Sequence, residues 1–140
     1  MSDTLFLDTN IVLDLLGQRY PYYDAIAKIA SLADGGEVQL TASALSFATV
    51  HYLLAKIDGN SIAKEKLRKF TIICKIIAVD EAIVKKGLSA AFTDFEDSLQ
   101  YYCAIQAKAA MVITRNGKDF KESVLPVLTA EEYLVSIGKK

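Results

Sequence analysis

The side chains of this sequence best placed to do chemistry are carboxylates. Asp8 follows the apolar run Leu5-Phe6-Leu7 and opens Asp8-Thr9-Asn10. Asp94 and Asp97, at i and i+3, share one face of a helix's first turn. Asn116 and Asp119 sit in the segment Thr114-Arg115-Asn116-Gly117-Lys118-Asp119-Phe120. Brought together, like charges raise one another's pKa values or recruit a cation. Oxygen-only donors favour Mg2+ or Mn2+, ions that keep part of their water and bind phosphates. Such an ion polarises a phosphodiester and activates a water for in-line attack. Each station also has a structural reading. Asp8, Thr9 or Asn10 could be a helix N-cap, Asp94 and Asp97 acids favoured by a helix dipole, and Asn116 and Asp119 the builders of an Asn-Gly turn.

Strands alternating with helices would have to position these groups. Leu5-Phe6-Leu7 reads as a strand buried on both faces. Ile11, Val12, Leu15 and Leu16 continue at helical spacing to a stop at Gly17. Further helices are predicted over 22–33, 43–56, 61–70 with Ser61 as cap, and 81–92. A capping box at Thr93-Asp94-Phe95-Glu96 opens another, to about 108. Strands are predicted at 38–41, 72–79, 111–114 and 127–128, the last at a sheet edge beside Pro126. Thr129-Ala130-Glu131-Glu132 reads as a second capping box, with Leu128 and Tyr133 as its staple. Right-handed crossovers then make a mostly parallel sheet with helices on both faces. Ligands bind such sheets outside the carboxyl ends of the strands, where Asp8 and Asp119 fall.

The chain has 140 residues and is expected to form a single domain over 1–140. With 52% hydrophobic and 24% charged residues it is not a disordered sequence. No apolar run approaches the ~18 residues of a membrane span, and the first residues carry no basic stretch of a secretory signal. Cys74 and Cys103 lie in apolar segments without metal-ligand spacing, as buried free thiols of a reducing compartment. A cytoplasmic protein without a membrane role is expected. Lys and Arg number 16 against 17 Asp and Glu, so a polyanion partner must be held by local charge or by a metal.

Leu5-Phe6-Leu7-Asp8-Thr9-Asn10, Asp94-Phe95-Glu96-Asp97, and Thr114-Arg115-Asn116 through Asp119-Phe120 resemble, in order and spacing, the PIN-domain family of metal-dependent ribonucleases. The resemblance covers nearly the whole chain. It implies an α/β fold, a three-layer α/β/α sandwich with a central, mostly parallel sheet of about five strands. It implies cleavage of single-stranded RNA with Mg2+ or Mn2+ as cofactor. Asp8, Asp97 and Asp119 would be catalytic and would hold the metal together with Asp94, while Asn10, Thr49, Asn116 and Thr114 would support them. Many bacterial members are VapC-type toxins held inactive by a small antitoxin protein, and many are homodimers. Two departures stand out. Members commonly carry a Glu in the helix over 43–56, where this chain has Thr49 and no acid between Glu37 and Asp58. The acid often found directly after Thr-Arg is Asn116 here, with Asp119 three residues on. Such a site could bind metal less tightly, use Asp94 instead, or be inactive.

Arg115 and Lys118 share a loop with this site and are the expected RNA-phosphate contacts. The basic run Lys64, Lys66, Arg68 and Lys69 reads better as a solvated helix face balanced by Glu65. His51 has no Cys or His partner, so it sits on a partly exposed helix rather than at zinc. Tyr20, Tyr22 and Tyr23 around Pro21 pack a turn or stack on bases. Asp14 and Arg19 could pair locally. The leading expectation is a metal-dependent endoribonuclease, the toxin of a toxin–antitoxin pair, with RNA, an antitoxin and a second copy of the chain as partners. A catalytically silent PIN-like module that binds RNA or protein is the alternative, motivated by Thr49 and Asn116. A phosphoacceptor domain is a third reading, because Asp8 follows a strand, although Asn10 is a poor general acid for its phosphatase version.

Overall fold

The computed structural model describes residues 2–138. Its first strand, β1 (Asp3–Leu7), runs into α1 (Thr9–Leu16) and α2 (Tyr23–Asp34). Strand β2 (Val38–Ser43) leads into the long helices α3 (Ala44–Asp58) and α4 (Asn60–Phe70), then β3 (Cys74–Ile77). Helices α5 (Glu81–Ser89) and α6 (Phe95–Gln106) precede β4 (Met111–Ile113), a 3-10 turn over Gly117–Phe120, β5 (Val127–Leu128) and α7 (Ala130–Ser136). The five strands form one parallel sheet in the order β3-β2-β1-β4-β5. The expected architecture is therefore present, and β5 is an edge as the neighbouring proline suggested.

Strand β1 lies at the centre because Leu5, Phe6 and Leu7 can all be buried, and each is wholly inaccessible. Side chains alternate across a strand. Leu5 and Leu7 enter a core built with α1, α2, α3, α4 and α7, while Phe6 enters a second core with α5 and α6. Two apolar layers thus sandwich the sheet. Among the described residues no helix is long and apolar enough to cross a membrane. Both cysteines are buried free thiols.

Several local expectations are corrected. Asn60 opens α4 and Gly59 precedes it with φ 87, so the backbone turn, which a glycine adopts without steric cost, does what Ser61 was expected to do. Strand β3 is half the predicted length, because Thr71 to Ile73 form a turn that leaves Ile72 exposed. Helix α5 stops at Ser89 rather than 92, and Phe92 instead packs against Tyr101 and edge-on against Phe120, with ring centroids 5.1 and 6.3 Å away. The cap of α6 is Asp94, whose carboxylate accepts from the Asp97 N–H; Thr93 and Glu96 form no capping box. The box at Thr129 and Glu132 does form, and Leu128 and Tyr133 join one core.

Candidate active site

Asp8 is the last residue before α1 and serves as its N-cap, so the structural reading of this residue is correct as far as it goes. Its Oδ1 accepts from the Thr9 N–H at 2.8 Å, and its Oδ2 accepts from the Thr114 hydroxyl at 2.7 Å. The Asn116 N–H in turn donates to Thr114 Oγ1 at 3.0 Å. One threonine therefore ties the end of β4 to the carboxylate at the end of β1. Among the described residues each Asp8 oxygen accepts a single hydrogen bond, which leaves lone pairs for a further partner.

The parallel sheet gathers the other groups beside it. A pocket of about 210 Å³ opens at the carboxyl ends of β1 and β4. Asp8, Thr9 and Asn10 line it from the start of α1, and Thr49 with Leu53 from α3. Glu96, Asp97 and Gln100 enter from the first turns of α6, and Asn116 with Asp119 from the loop after β4. Of the residues expected at a site, Asp8, Asp97, Asp119, Asn10, Asn116 and Thr49 are together, and Thr114 stands behind Asp8. Helix α3 does present Thr49 to the pocket. Asp94 does not line it; its Oδ1 caps α6 by accepting from the Asp97 N–H. Glu96, assigned from sequence to a capping box, lines the pocket instead.

The electrostatics follow from this crowding. Burial pushes the Asp97 carboxyl up to about 7, and the charges of Asp94, Asp8, Asp119 and Glu96 push the same way. Burial also raises Asp8, helped by Asp119 and opposed by its bonds from Thr114 and Thr9 and by the charge of Arg115. Every polar group lining the pocket offers oxygen, and no histidine or cysteine reaches it. Among the described residues no three His, Cys, Asp or Glu side chains form a ready-made ligand cage. Mg2+ retains several waters and needs only one or two protein carboxylates. The donor set therefore fits a hydrated hard cation and does not fit zinc.

Beneath the pocket lies a polar knot that the sequence reading missed. Gln100 is 1% exposed; it accepts from Ser43 Oγ at 2.6 Å and donates to Thr9 Oγ1 at 2.8 Å and Ser46 Oγ at 2.7 Å. It joins α6, β2, α3 and α1 at one point. The available signal was its i+3 spacing from Asp97, which puts both on one helix face.

Arg115, expected to contact RNA, is engaged elsewhere. Its Nε and Nη2 donate to Asp14 Oδ2 and Oδ1 at 2.8 and 3.2 Å, and the guanidinium stacks 3.9 Å from the Tyr22 ring centroid. Arg19 also reaches Asp14, at 3.5 Å. Lys118 is exposed on the 3-10 turn. Tyr20 packs on Tyr23 with centroids 5.4 Å apart, although Tyr20 stays largely exposed. His51 bonds Asn60 at 2.8 Å. Lys66 pairs with Asp58 and Arg68 with Glu65, as a solvated basic face would.

A family model described as PIN domain matches residues 4–118. Ribonuclease VapC1 of Aquifex aeolicus is 28% identical over 137 residues, with 94% of each chain covered. Among solved structures, a toxin–antitoxin complex from Klebsiella pneumoniae superposes with TM-score 0.68 at 20% identity, over 90% of this chain and 97% of that one. FitAcB from Neisseria gonorrhoeae gives 0.65 at 20% identity, over 91% and 98%. At those identities the likeness to the solved structures is one of fold.

Proposed function

This chain belongs to the PIN-domain family, and we propose on that premise that it is a Mg2+- or Mn2+-dependent endoribonuclease of single-stranded RNA. The observation that carries the proposal is the convergence of Asp8, Asp97 and Asp119 on one 210 Å³ pocket. Those carboxylates, with side-chain oxygens of Asn10, Asn116 and Thr49, would hold the ion. Once bound, it would supply Lewis acidity to a phosphodiester oxygen and a water acid enough to attack phosphorus. Thr114 and the Thr9 N–H hold both Asp8 oxygens in fixed directions. Gln100 fixes the pocket floor against α1 and α3. Lys118, exposed on the loop that carries Asp119, would meet backbone phosphate.

The toxin role rests on relatives. The 28%-identical relative is called a ribonuclease, and two neighbours in fold come from a toxin–antitoxin complex and from FitAcB. A single cytoplasmic domain over 1–140, with a small antitoxin protein and a second copy of the chain as partners, agrees with that reading. One observation favours a silent binding module instead: Thr49 lines the pocket where a carboxylate would complete the donor set. Thermal melts with and without Mn2+, beside an assay on unstructured RNA, separate the two. The nuclease reading expects Mn2+ at about 100 times its Kd to stabilise the fold by about 2.7 kcal/mol and RNA to be cut. A melt indifferent to Mn2+ and intact RNA overturn the nuclease reading and leave the silent module, which RNA binding without cleavage supports.

A further inference from the structure

We propose that Arg115 is a positioning residue: gripped by Asp14, it holds the loop that carries Asn116 and Asp119 over the pocket. The proposal rests on reading that pocket as a cation site. Asp14 is fully buried in α1, so its charge must be met inside the protein. Arg115 meets it with two parallel bonds at 2.8 and 3.2 Å, the fork geometry that fixes both angle and distance. Tyr22 covers one face of the guanidinium, with its centroid 3.9 Å away. The other end of the loop is anchored by Phe120, 1% exposed in the core against Phe92. Between these anchors the Asp119 N–H donates to the Asn116 carbonyl at 2.9 Å, which closes the turn. Asn116 and Asp119 are thus suspended between two fixed points, neither of which lines the pocket.

Arg19 supplies the contrast. It touches the same carboxylate, at 3.5 Å, but belongs to the α1–α2 connection and to no part of the site loop. If Asp14 served only to tie down α1, losing Arg115 would lower stability without altering Mn2+ affinity or exchange in the site loop. If the grip positions the loop, only Arg115 matters to the site.

The experiment titrates Mn2+ alone, by calorimetry and by the paramagnetic resonance of the free ion, into wild type, Arg115→Gln, Arg115→Lys and Arg19→Gln. Amide exchange is followed at Asn116 to Phe120. Arg115→Gln is expected to weaken Mn2+ binding about tenfold, as loss of groups that orient metal ligands does, with faster exchange at Asp119. Arg115→Lys keeps a charge beside Asp14, so it safeguards folding, but it lacks the fork; the expected loss is about threefold. Arg19→Gln should stay within about twofold of wild type. Wild-type affinity and exchange in both Arg115 variants, or equal losses in Arg19→Gln, overturn the proposal. If wild type binds no Mn2+, the nuclease reading fails; faster exchange in Arg115→Lys than in Arg19→Gln then still supports the positioning role, and equal exchange overturns it.

Discussion

Thr114 and Asp8 share a hydrogen bond of 2.7 Å, and through it the end of β4 sets the direction of the carboxylate at the end of β1. With the Thr9 N–H on the other oxygen, Asp8 has one rotational setting. Capping a helix and facing a cation are therefore compatible duties, because each oxygen keeps a lone pair for the second. That double duty decides which substitution separates fold from chemistry.

Asp8→Asn keeps an oxygen for the Thr9 N–H and therefore the cap. It removes one of the negative charges that line the pocket. Mn2+-dependent RNA cleavage should fall at least about a hundredfold, a loss of several kcal/mol of charge stabilisation, while urea unfolding changes by less than about 1 kcal/mol. Wild-type cutting by this variant would make Asp8 a cap and nothing more.

Thr49→Glu adds a carboxylate to the α3 wall of the pocket. A hydroxyl is a weak neutral ligand for a hard cation, and glutamate is a good helix former. Calorimetry should show Mn2+ binding tightened about tenfold, with faster RNA cleavage if cleavage is metal-limited. Unchanged binding would mean that Glu96 or Asp119 already provides the charge.

The metal-free protein should respond to pH through Asp97. Its folded pKa of about 7 stands above the ordinary 3.8 because of burial first and neighbouring carboxylates second. The native state then holds more protons than the unfolded chain between those values, so this group's contribution is full below 3.8 and is lost as pH rises through about 7. Asp97→Asn removes the loss. Without metal it should melt above wild type at about pH 8 and match it near pH 4, whereas saturating Mn2+ at about pH 8 should reverse the order. A pH-independent gap between the two melting curves would show that Asp97 does not titrate.

Gln100→Leu tests the knot under the site. It strips partners from Ser43, Thr9 and Ser46 at once, although the Thr9–Ser46 contact at 2.7 Å survives. Buried hydroxyls left short of partners should cost roughly 2–3 kcal/mol, read as a lower urea midpoint with an unchanged m-value. A loss under about 0.5 kcal/mol would mean that water replaces the amide.

What the sequence made legible was what is local. Leu5-Phe6-Leu7 announces a central strand because only a doubly buried strand can use three consecutive large apolar side chains, and Asp8 inherits its place from that strand. Thr129 and Glu132 announce a cap because their reciprocal bonds span three residues. Asp94 and Glu96 were exchanged in role because a capping box and a cap one residue later share almost the same letters. Gln100 was hidden because a glutamine on a helix reads as surface until three other elements are seen around it. The partners of Arg115 were hidden for a deeper reason: in a loop beside acids, an arginine suggests phosphate. Only the fold reveals that Asp14, two residues before the end of α1, lies within its reach.

The parallel pairing of β1 with β4, residue 5 beside 111 and residue 7 beside 113, sets a timetable for biosynthesis. A ribosome must translate most of the message before the partner of the first strand exists. Until then the nascent chain carries Asp8 with neither Thr114 to orient it nor Asp119 to face it. Contacts so distant along the chain form late and slowly, so a half-made polypeptide lacks the assembled pocket. The pocket is complete only when the last third of the protein has emerged and docked beside the first strand.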